Sequence, residues 1–285
     1  MMIDIDGKIR MVDISYCRNR IRQGKRPICG IYAFLNGFYD GKIYKLCKWK
    51  KLAKELWKLS IDKNIPTDIS LLSKNDVVQY SFIGEFFSSD NLENFLADIS
   101  QNNINVKHEL SKLTKHTITR IDIDDVEKID WNNFSDKKGT TFYLIPINSW
   151  MKCKDKFNMH WICLKQGKRK PYILNSAGDR SGERNAMKHV IKDNRNSINR
   201  CHKLVGGISN SADLDNVVMN MQNRSKYVPF DFKEYFKGWT KSCKSRKLID
   251  ECKDRIGKIS KSKACEYSFV DSEFKIVKVT YYQLR

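Results

Sequence analysis

The stretch His160-Trp-Ile-Cys-Leu-Lys-Gln-Gly-Lys-Arg-Lys-Pro-Tyr-Ile-Leu-Asn175 predicts two antiparallel strands joined by a tight turn. Its two halves are rich in β-branched and aromatic residues, and Gly167-Lys168 lies at its centre, where a hairpin turn is expected. With the turn centred there, His160 lies opposite Asn175 on one face of the sheet, with Cβ atoms about 5 Å apart. We therefore expect the Asn175 amide oxygen to accept a hydrogen bond from one imidazole nitrogen, which fixes the tautomer and leaves the other nitrogen for general-base work.

Further strands are predicted before and after this hairpin. Thr141 to Ile147 and Phe274 to Tyr282 are short, rich in β-branched and aromatic residues and bounded by polar turns. Pro146 cannot donate a hydrogen bond to a neighbouring strand, so its strand is expected at an edge or at a bulge. The acidic run from Ile121 to Asp130 lacks the Gly and the later Glu of a calcium loop, and it is interpreted as a solvated strand edge or turn.

The first half of the chain has a helical period instead. Leu46, Trp49, Leu52, Ala53, Leu56 and Trp57 recur at helical spacing among lysines, which predicts an amphipathic helix. A second helix is predicted from Asp90 as N-cap with Glu93 three residues later, followed by an apolar face of Leu92, Phe95, Leu96 and Ile99. Helices first and strands afterwards predict the α+β fold class, with an antiparallel sheet in the C-terminal part.

Composition and charge limit the class of protein. The chain has 285 residues, is 41% hydrophobic and carries a formal net charge of +20, so it can bury a core and favours acidic partners such as nucleic acid, anionic lipid or an acidic protein. No apolar run approaches the roughly 20 residues that span a bilayer, and the N-terminus lacks the apolar segment of a secretory signal. The nine cysteines include no CxxC pair, which favours a reducing compartment and gives no support for a zinc site.

A candidate nucleophile lies in Gln23-Gly-Lys-Arg-Pro-Ile-Cys-Gly-Ile-Tyr-Ala-Phe-Leu35. Cys29 follows a proline-containing turn and precedes an apolar stretch that predicts a buried helix. At a helix N-terminus the macrodipole and the amide groups favour the thiolate. Gln23 could present its side-chain amide to an oxyanion beside the backbone amide of Cys29.

In this order along the chain, the Gln-Gly-x4-Cys-x3-Ala-Phe run, the His160-Trp pair and Asn175 resemble the papain-like cysteine peptidases. The resemblance implies Gln23 as oxyanion donor, Cys29 as nucleophile, His160 as general base and acid, and Asn175 as the residue that orients it. It also implies a papain-like fold, with the cysteine at the start of a central helix and the histidine and asparagine on the sheet.

Two departures narrow the resemblance. Gly30 follows Cys29 where papain has an aromatic residue, and Arg26 stands where papain has a disulfide-forming cysteine. The Cys-Gly pair looks more like bacteriocin-leader peptidases and bacterial effector enzymes of the same clan than like secreted papain.

The predicted organisation is a papain-like catalytic domain over residues 1–205 and a basic C-terminal extension over 206–285, which can pack on the same core and supply a final strand. The predicted function is a thiol hydrolase that cleaves peptide or isopeptide bonds without a cofactor or metal. Its expected partner is a protein or peptide substrate with an acidic surface, with nucleic acid as a secondary candidate. The expected location is the cytoplasm, or a host cell reached by a non-classical route.

Other functions stay open at the level of sequence. A glutamine deamidase effector of the same fold would use the same side chains, and a basic nucleic-acid-binding protein would use none of them for catalysis. Asn194, Cys201 and His202, with His189 upstream, superficially suggest a ββα-metal nuclease, but the region lacks the expected glycine pair and the strand hairpin between the histidines. Gly206 and Gly207 suggest a self-processing site, although a plain turn fits them better. His108 and His116 have no partner at ligand spacing and are interpreted as surface residues.

Overall fold

A computed structural model describes residues 2–3, 9–10, 12–16, 20–23, 28–41, 45–61, 86, 89–131, 139–148, 159–176, 210–224, 229–231, 266–268 and 275–284. The helices are α1 (Cys29–Phe38), α2 (Leu46–Ile61), α3 (Ser89–Asn102), α4 (Ile104–Thr114) and α5 (Ser211–Arg224). The strands are β1 (Met2–Ile3), β2 (Ile9–Arg10), β3 (Ser15–Tyr16), β4 (Ile118–Val126), β5 (Thr140–Asn148), β6 (Met159–Lys165), β7 (Tyr172–Leu174), β8 (Pro229–Asp231), β9 (Glu266–Ser268) and β10 (Ile276–Gln283).

The main sheet has six strands in the order β3-β7-β6-β5-β10-β4. Its neighbours are antiparallel except for β3 and β7, which are parallel. Four of the helices lie in the chain between the short edge strand β3 and the other five strands of this sheet, so the α+β class with helices in the N-terminal half and an antiparallel sheet is confirmed. The last strand, β10, inserts between β5 and β4, so residues on both sides of the predicted boundary at 205 contribute to one sheet.

The helices form where the sequence places apolar stripes. In α2 the stripe Trp49, Leu52, Ala53, Leu56 and Trp57 is buried, whereas the lysines between its members are exposed. The predicted apolar face of α3 is also buried. The predicted cap of α3 is wrong, because the helix already begins at Ser89 and Asp90 lies within its first turn. The Ser89 hydroxyl instead donates to the carbonyl of Lys275, 2.6 Å away, and thereby fixes the start of α3 to β10.

Both faces of the sheet are covered, so its central strands are apolar on both sides. Along β5, Phe142 and Leu144 belong to the larger core cluster, which includes residues of α1 to α4. Tyr143, Ile145 and Ile147 alternate with them and belong to a smaller cluster, which includes Leu214 and Val218 of α5. The helices therefore lie on two sides of one sheet, with α1 packed on β5 and β6.

Pro146 corrects one expectation. It lies in an interior strand, because β5 has β6 on one side and β10 on the other. The pairing with β10 ends at Leu144, opposite Val277, so Pro146 itself has only Trp161 of β6 as a neighbour. A missing amide proton costs nothing where the second neighbouring strand has already ended. The acidic run at 121–130 is confirmed as a sheet edge, because β4 is the outermost strand.

None of the helices in the described ranges combines the length and the apolar character needed to cross a membrane.

Candidate active site

Cys29 is the first residue of α1, as predicted. The preceding residue, Ile28, makes no side-chain hydrogen bond to the helix, and no acidic side chain lies in the first turn. The positive end of the helix is therefore not offset by a carboxylate from its own first turn, and it favours a negative charge on the thiol. Every residue of α1 is buried, and Cys29 is only 2% exposed.

Two glycines allow α1 to lie close to its neighbours. A Cβ on Gly37 would lie 2.2 Å from the Phe142 ring of β5, so this position requires glycine. A Cβ on Gly30 would lie 3.0 Å from Phe86 and 3.2 Å from Leu92 of α3. The space that a larger side chain after Cys29 would need is thus already filled by Phe86 and Leu92.

His160 is the second residue of β6, and the predicted register of its hairpin is wrong by two residues. Cys163 pairs with Leu174 and Leu164 with Ile173, so the two-residue turn is Lys168-Arg169. Gly167 flanks this turn and donates its amide to the carbonyl of Lys170 at 3.2 Å. A Cβ on Gly167 would lie 2.6 Å from that carbonyl oxygen, so the glycine is needed for the close approach beside the turn and not at its centre.

The predicted contact between His160 and Asn175 forms in spite of this shift. A slip of two residues keeps both side chains on the same face and makes them diagonal neighbours, which side chains of this length can bridge. The imidazole Nε2 lies 2.8 Å from the Asn175 Oδ1, and both residues are buried. The diagonal geometry therefore replaces the directly opposed pair that the sequence predicts.

The hydrogen bond fixes the state of the ring. A carboxamide oxygen can only accept a hydrogen bond, so Nε2 carries the proton and Nδ1 holds a lone pair. Burial lowers the pKa of His160, and the hydrogen bond with Asn175 opposes this shift. The imidazole is therefore neutral at pH 7, which is the form that a general base requires.

Gln23 is held beside this pair by Ser176, the residue after Asn175. The Ser176 hydroxyl donates to the Gln23 Oε1 at 2.8 Å, and the Gln23 amide donates to the Ser176 carbonyl at 3.0 Å. The Gln23 side-chain oxygen is the acceptor in this contact, and the amide nitrogen is the donor end of the same side chain.

Asn36 of α1 fixes the same segment from the other side. Its Oδ1 accepts from the Ile21 amide at 2.7 Å, and its Nδ2 donates to the Ile21 carbonyl at 3.1 Å. Sequence reasoning missed both Asn36 and Ser176. A signal existed for Asn36, since it is the one amide side chain inside an otherwise apolar helix.

Hydrogen bonds join His160 to Asn175 and Gln23 to Ser176, the residue after Asn175, at one end of the hairpin. Cys29 lies in the same core cluster as Trp161 and Leu174, which neighbour His160 and Asn175 along the chain. Because side chains alternate along a strand, His160 lies on the same face of the sheet as Ile162 and Leu164. These two residues belong to the smaller core cluster, on the face opposite to the cluster that contains Cys29. His160 lies at the start of β6, next to Met159, which is the first residue of the strand and pairs with Asn148 of β5.

Two further cysteines in the described residues differ from Cys29. Cys163 lies inside β6 and is fully buried, and burial raises its pKa to about 12, so it stays a neutral thiol. Cys47 lies on α2 and is exposed. Arg26, His189, Asn194, His202, Gly206 and Gly207 lie outside the described residues.

Asp90, Glu93 and Asp125 form a carboxylate cluster at the β4 edge, with one oxygen from each within 4.8 Å of the others. Such a set has the donor atoms that a hard divalent cation prefers. Burial raises the pKa of Glu93 to about 6, with contributions from the charges of Asp125, Asp90 and Asp124. Lys275 lies 2.9 Å from Asp125 and partly offsets this repulsion.

Comparisons of the chain with protein-family models, with curated proteins and with solved structures found no match.

Proposed function

We propose that this protein is a thiol hydrolase that cleaves peptide or isopeptide bonds, with Cys29 as nucleophile, His160 as base and acid, Asn175 as orienting residue and Gln23 as oxyanion donor. The observation that carries the proposal is the buried 2.8 Å hydrogen bond between His160 Nε2 and Asn175 Oδ1, which leaves Nδ1 as the basic nitrogen. The start of α1 at Cys29 and the attachment of Gln23 to Ser176 add to it.

In the first half of the proposed reaction, His160 Nδ1 takes the proton of the Cys29 thiol, and the sulfur attacks the carbonyl carbon of the substrate amide. The negative charge moves to the carbonyl oxygen, where the Cys29 backbone amide and the Gln23 side-chain amide donate hydrogen bonds. The carbon–nitrogen bond then breaks, and the imidazolium gives its proton to the leaving amine. The enzyme is left as a thioester.

In the second half, a water molecule gives its proton to His160 as its oxygen attacks the thioester. The carbon–sulfur bond breaks, the proton returns to the sulfur, and the carboxylic acid product leaves. Each step uses only side chains of this chain and water, so no cofactor is invoked.

The proposed mechanism requires the His160 side chain, at the start of β6, to reach Cys29. His160 lies on the same face of the sheet as Ile162 and Leu164, which face away from α1. The imidazole must therefore reach past the start of β6 to bring Nδ1 to the Cys29 thiol. The mechanism also makes a demand on access, because Cys29 is 2% exposed. Small thiol reagents should therefore modify Cys29 much faster than bulky ones.

Peptide mapping by mass spectrometry after limited alkylation tests the proposal. A Cys47→Ser background removes the exposed thiol of α2, and Cys163 serves as the matched buried control. Iodoacetamide should modify Cys29 at pH 6 to 7, and His160→Ala should slow this modification at least about tenfold, since the imidazole supports the thiolate. Circular dichroism establishes that the variant is folded.

An unreactive Cys29, or modification that is equal with and without His160, would contradict the proposal. The reaction product shows which amide bond of the substrate is hydrolysed. Internally quenched peptides report cleavage of the main chain, whereas ammonia released from glutamine-containing proteins without cleavage would identify a deamidase and overturn the peptidase assignment. We further propose a protein substrate with an acidic surface and an intracellular site of action, in the chain's own cell or in a host.

A further inference from the structure

A second candidate site lies along α4, away from the residues considered above. An open surface groove with a volume of about 520 Å³ runs between this helix and the start of β4. On the helix side it is lined by Ile104, Lys107, His108, Ser111, Lys112 and Lys115, a spacing that corresponds to one face of a helix. His116, Thr117 and Thr119 complete the other wall. The face therefore offers three ammonium groups, two imidazoles and three hydroxyls in one groove.

The walls of the groove are fixed by hydrogen bonds of the backbone. The Ile118 amide donates to Ser111 Oγ at 3.0 Å, which holds the start of β4 against the middle of α4. The amide of Leu284 donates to the Thr117 carbonyl at 3.0 Å, which ties the same turn to the residue after β10. The groove thus has a defined shape before any ligand binds, which reduces the entropy cost of binding.

The charges along the groove are of one sign. Among the described residues, no aspartate or glutamate lines the groove. The nearby Glu109 pairs with Lys112 at 3.0 Å, so Lys107 and Lys115 are the ammonium groups of the lining for which no carboxylate partner is observed. A ligand for this groove must carry several negative charges.

The shape and the apolar end favour a peptide over a nucleic acid. Among the described residues, no Phe, Tyr or Trp lines the groove, although these larger rings are the usual stacking platforms for single strands. A concave groove along an 11-residue helix, roughly 16 Å long, accommodates about five residues of extended chain. At one end lies Ile104, which is 77% exposed and provides an apolar contact.

We infer that this groove, defined by the five α4 residues and Lys115 named above with His116, Thr117 and Thr119, binds an acidic peptide segment that carries an apolar residue at one end. The groove lies at the end of the sheet opposite His160, because Gln283 pairs with Ile118 while His160 pairs with Ile147. Along the strand direction, nine residue positions separate the Gln283–Ile118 pair from the His160–Ile147 pair, which corresponds to roughly 30 Å. The groove is therefore a separate docking site, and its occupancy does not depend on the proposed catalysis.

Fluorescence anisotropy with the full chain tests the inference. A Cys29→Ser background prevents turnover, and the probe is a labelled peptide of alternating Asp and Glu with a terminal Leu. The double variant K107E/K112E should weaken its binding at least about tenfold, or about 1.4 kcal/mol. K50E/K54E on the exposed face of α2 changes the net charge equally and should have less than about a threefold effect. Ile104→Ser should weaken binding about threefold, whereas Leu59→Ser on α2 should not.

Three results would overturn the inference. Equal losses in the two charge-reversal variants would mean that the peptide responds only to the overall charge. Tighter binding of a labelled single-stranded oligonucleotide, lost in K107E/K112E, would identify a nucleic-acid groove. No measurable binding of the peptide at low salt would mean that the groove has no such ligand.

Discussion

Two cysteines of this protein are almost equally hidden from solvent but lie in different electrostatic surroundings. Cys29 is 2% exposed and begins α1, where the amide groups of the first turn point towards it. Cys163 is fully buried in the middle of β6, where burial raises its pKa to about 12. Burial alone would describe both as small apolar side chains. Position relative to a helix end is what separates a candidate nucleophile from a core residue.

The two neighbourhoods are also held in place differently. Around Cys163 the contacts are apolar, with Leu144 and Leu174 as the paired residues on the adjacent strands. The segment that precedes Cys29 is instead held by polar contacts, since Asn36 binds both backbone groups of Ile21 and Ser176 binds Gln23. Apolar packing tolerates small shifts of side chains, whereas these hydrogen bonds fix the positions of the bonded atoms to within a few tenths of an ångström.

Replacing each cysteine should produce the largest contrast. Cys29→Ala should lower peptide turnover by about 10⁴-fold or more while the chain stays folded, because it removes the proposed nucleophile. Cys163→Ser should lower the free energy of unfolding by about 1–3 kcal/mol, since it buries a hydroxyl in an apolar site. Turnover per folded molecule should then be unchanged. Urea denaturation and initial rates measure the two effects. Comparable loss of turnover in a folded Cys163→Ser protein would remove the distinction between the two thiols.

The amide contact of α1 can be tested by Asn36→Leu, which keeps the volume and removes both hydrogen bonds. Ile21 would be left with a buried amide and a buried carbonyl without partners, so the free energy of unfolding should fall by about 2–5 kcal/mol. Asn102→Leu on the exposed end of α3 removes a contact to Asp98 and should change stability by less than about 0.5 kcal/mol. A loss no larger than that of this control would mean that the segment around Gln23 is held by other contacts.

Local patterns predicted the elements around both cysteines. The apolar stripe from Trp49 to Trp57 and the buried run after Cys29 are signals within single elements, because helix burial repeats every three or four residues. The facing pair His160 and Asn175 was predictable as well, because a hairpin brings residues together that are near in sequence. The two-residue error in its register arose from the position of Gly167, which could stand in the turn or beside it.

Contacts between distant segments were not predictable in the same way. Phe86 fills the space beside Gly30, and Ser176 contacts Gln23 across 153 positions of the chain. Neither contact has a periodicity that a single sequence displays. The carboxylate cluster of α3 and β4 likewise depends on the order of strands in the sheet, since Asp125 meets Glu93 only because β4 lies at the edge next to α3.

Acid should destabilise the amide-rich end of the sheet through His160. Its pKa is lower in the folded protein than the ordinary value of 6.5, so the unfolded chain takes up the proton first. The free energy of unfolding should therefore decrease as the pH falls below about 6.5, by at most about 1.4 kcal/mol per pH unit. His160→Gln should remove this decrease, and His108→Gln on the surface of α4 should not. The difference between the two variants in urea denaturation from pH 7.5 to 5 measures the effect. A parallel pH dependence in the His160→Gln protein would mean that the imidazole is protonated in the folded state as easily as in the unfolded one.

Glu93 should respond to pH with the opposite sign, which gives the smallest effect but separates the two titrations. Burial and the neighbouring carboxylates raise its pKa from 4.5 to about 6, so its ionised form is disfavoured in the folded protein. Relative to high pH, protonated Glu93 favours the folded state. This contribution to the free energy of unfolding is fully present below about pH 4.5 and is lost as the pH rises through about 6. Because the side chain is half-exposed, Glu93→Gln should increase the free energy of unfolding at pH 8 by less than about 1 kcal/mol and leave it unchanged at pH 4. Between these values the variant should also show a steeper loss of stability on acidification, since Glu93 no longer opposes His160.

Glu127→Gln on the exposed turn after β4 is the matched control. An equal gain at pH 4 and pH 8 would assign the effect to packing, and the carboxylate cluster would then carry no strain from its charges.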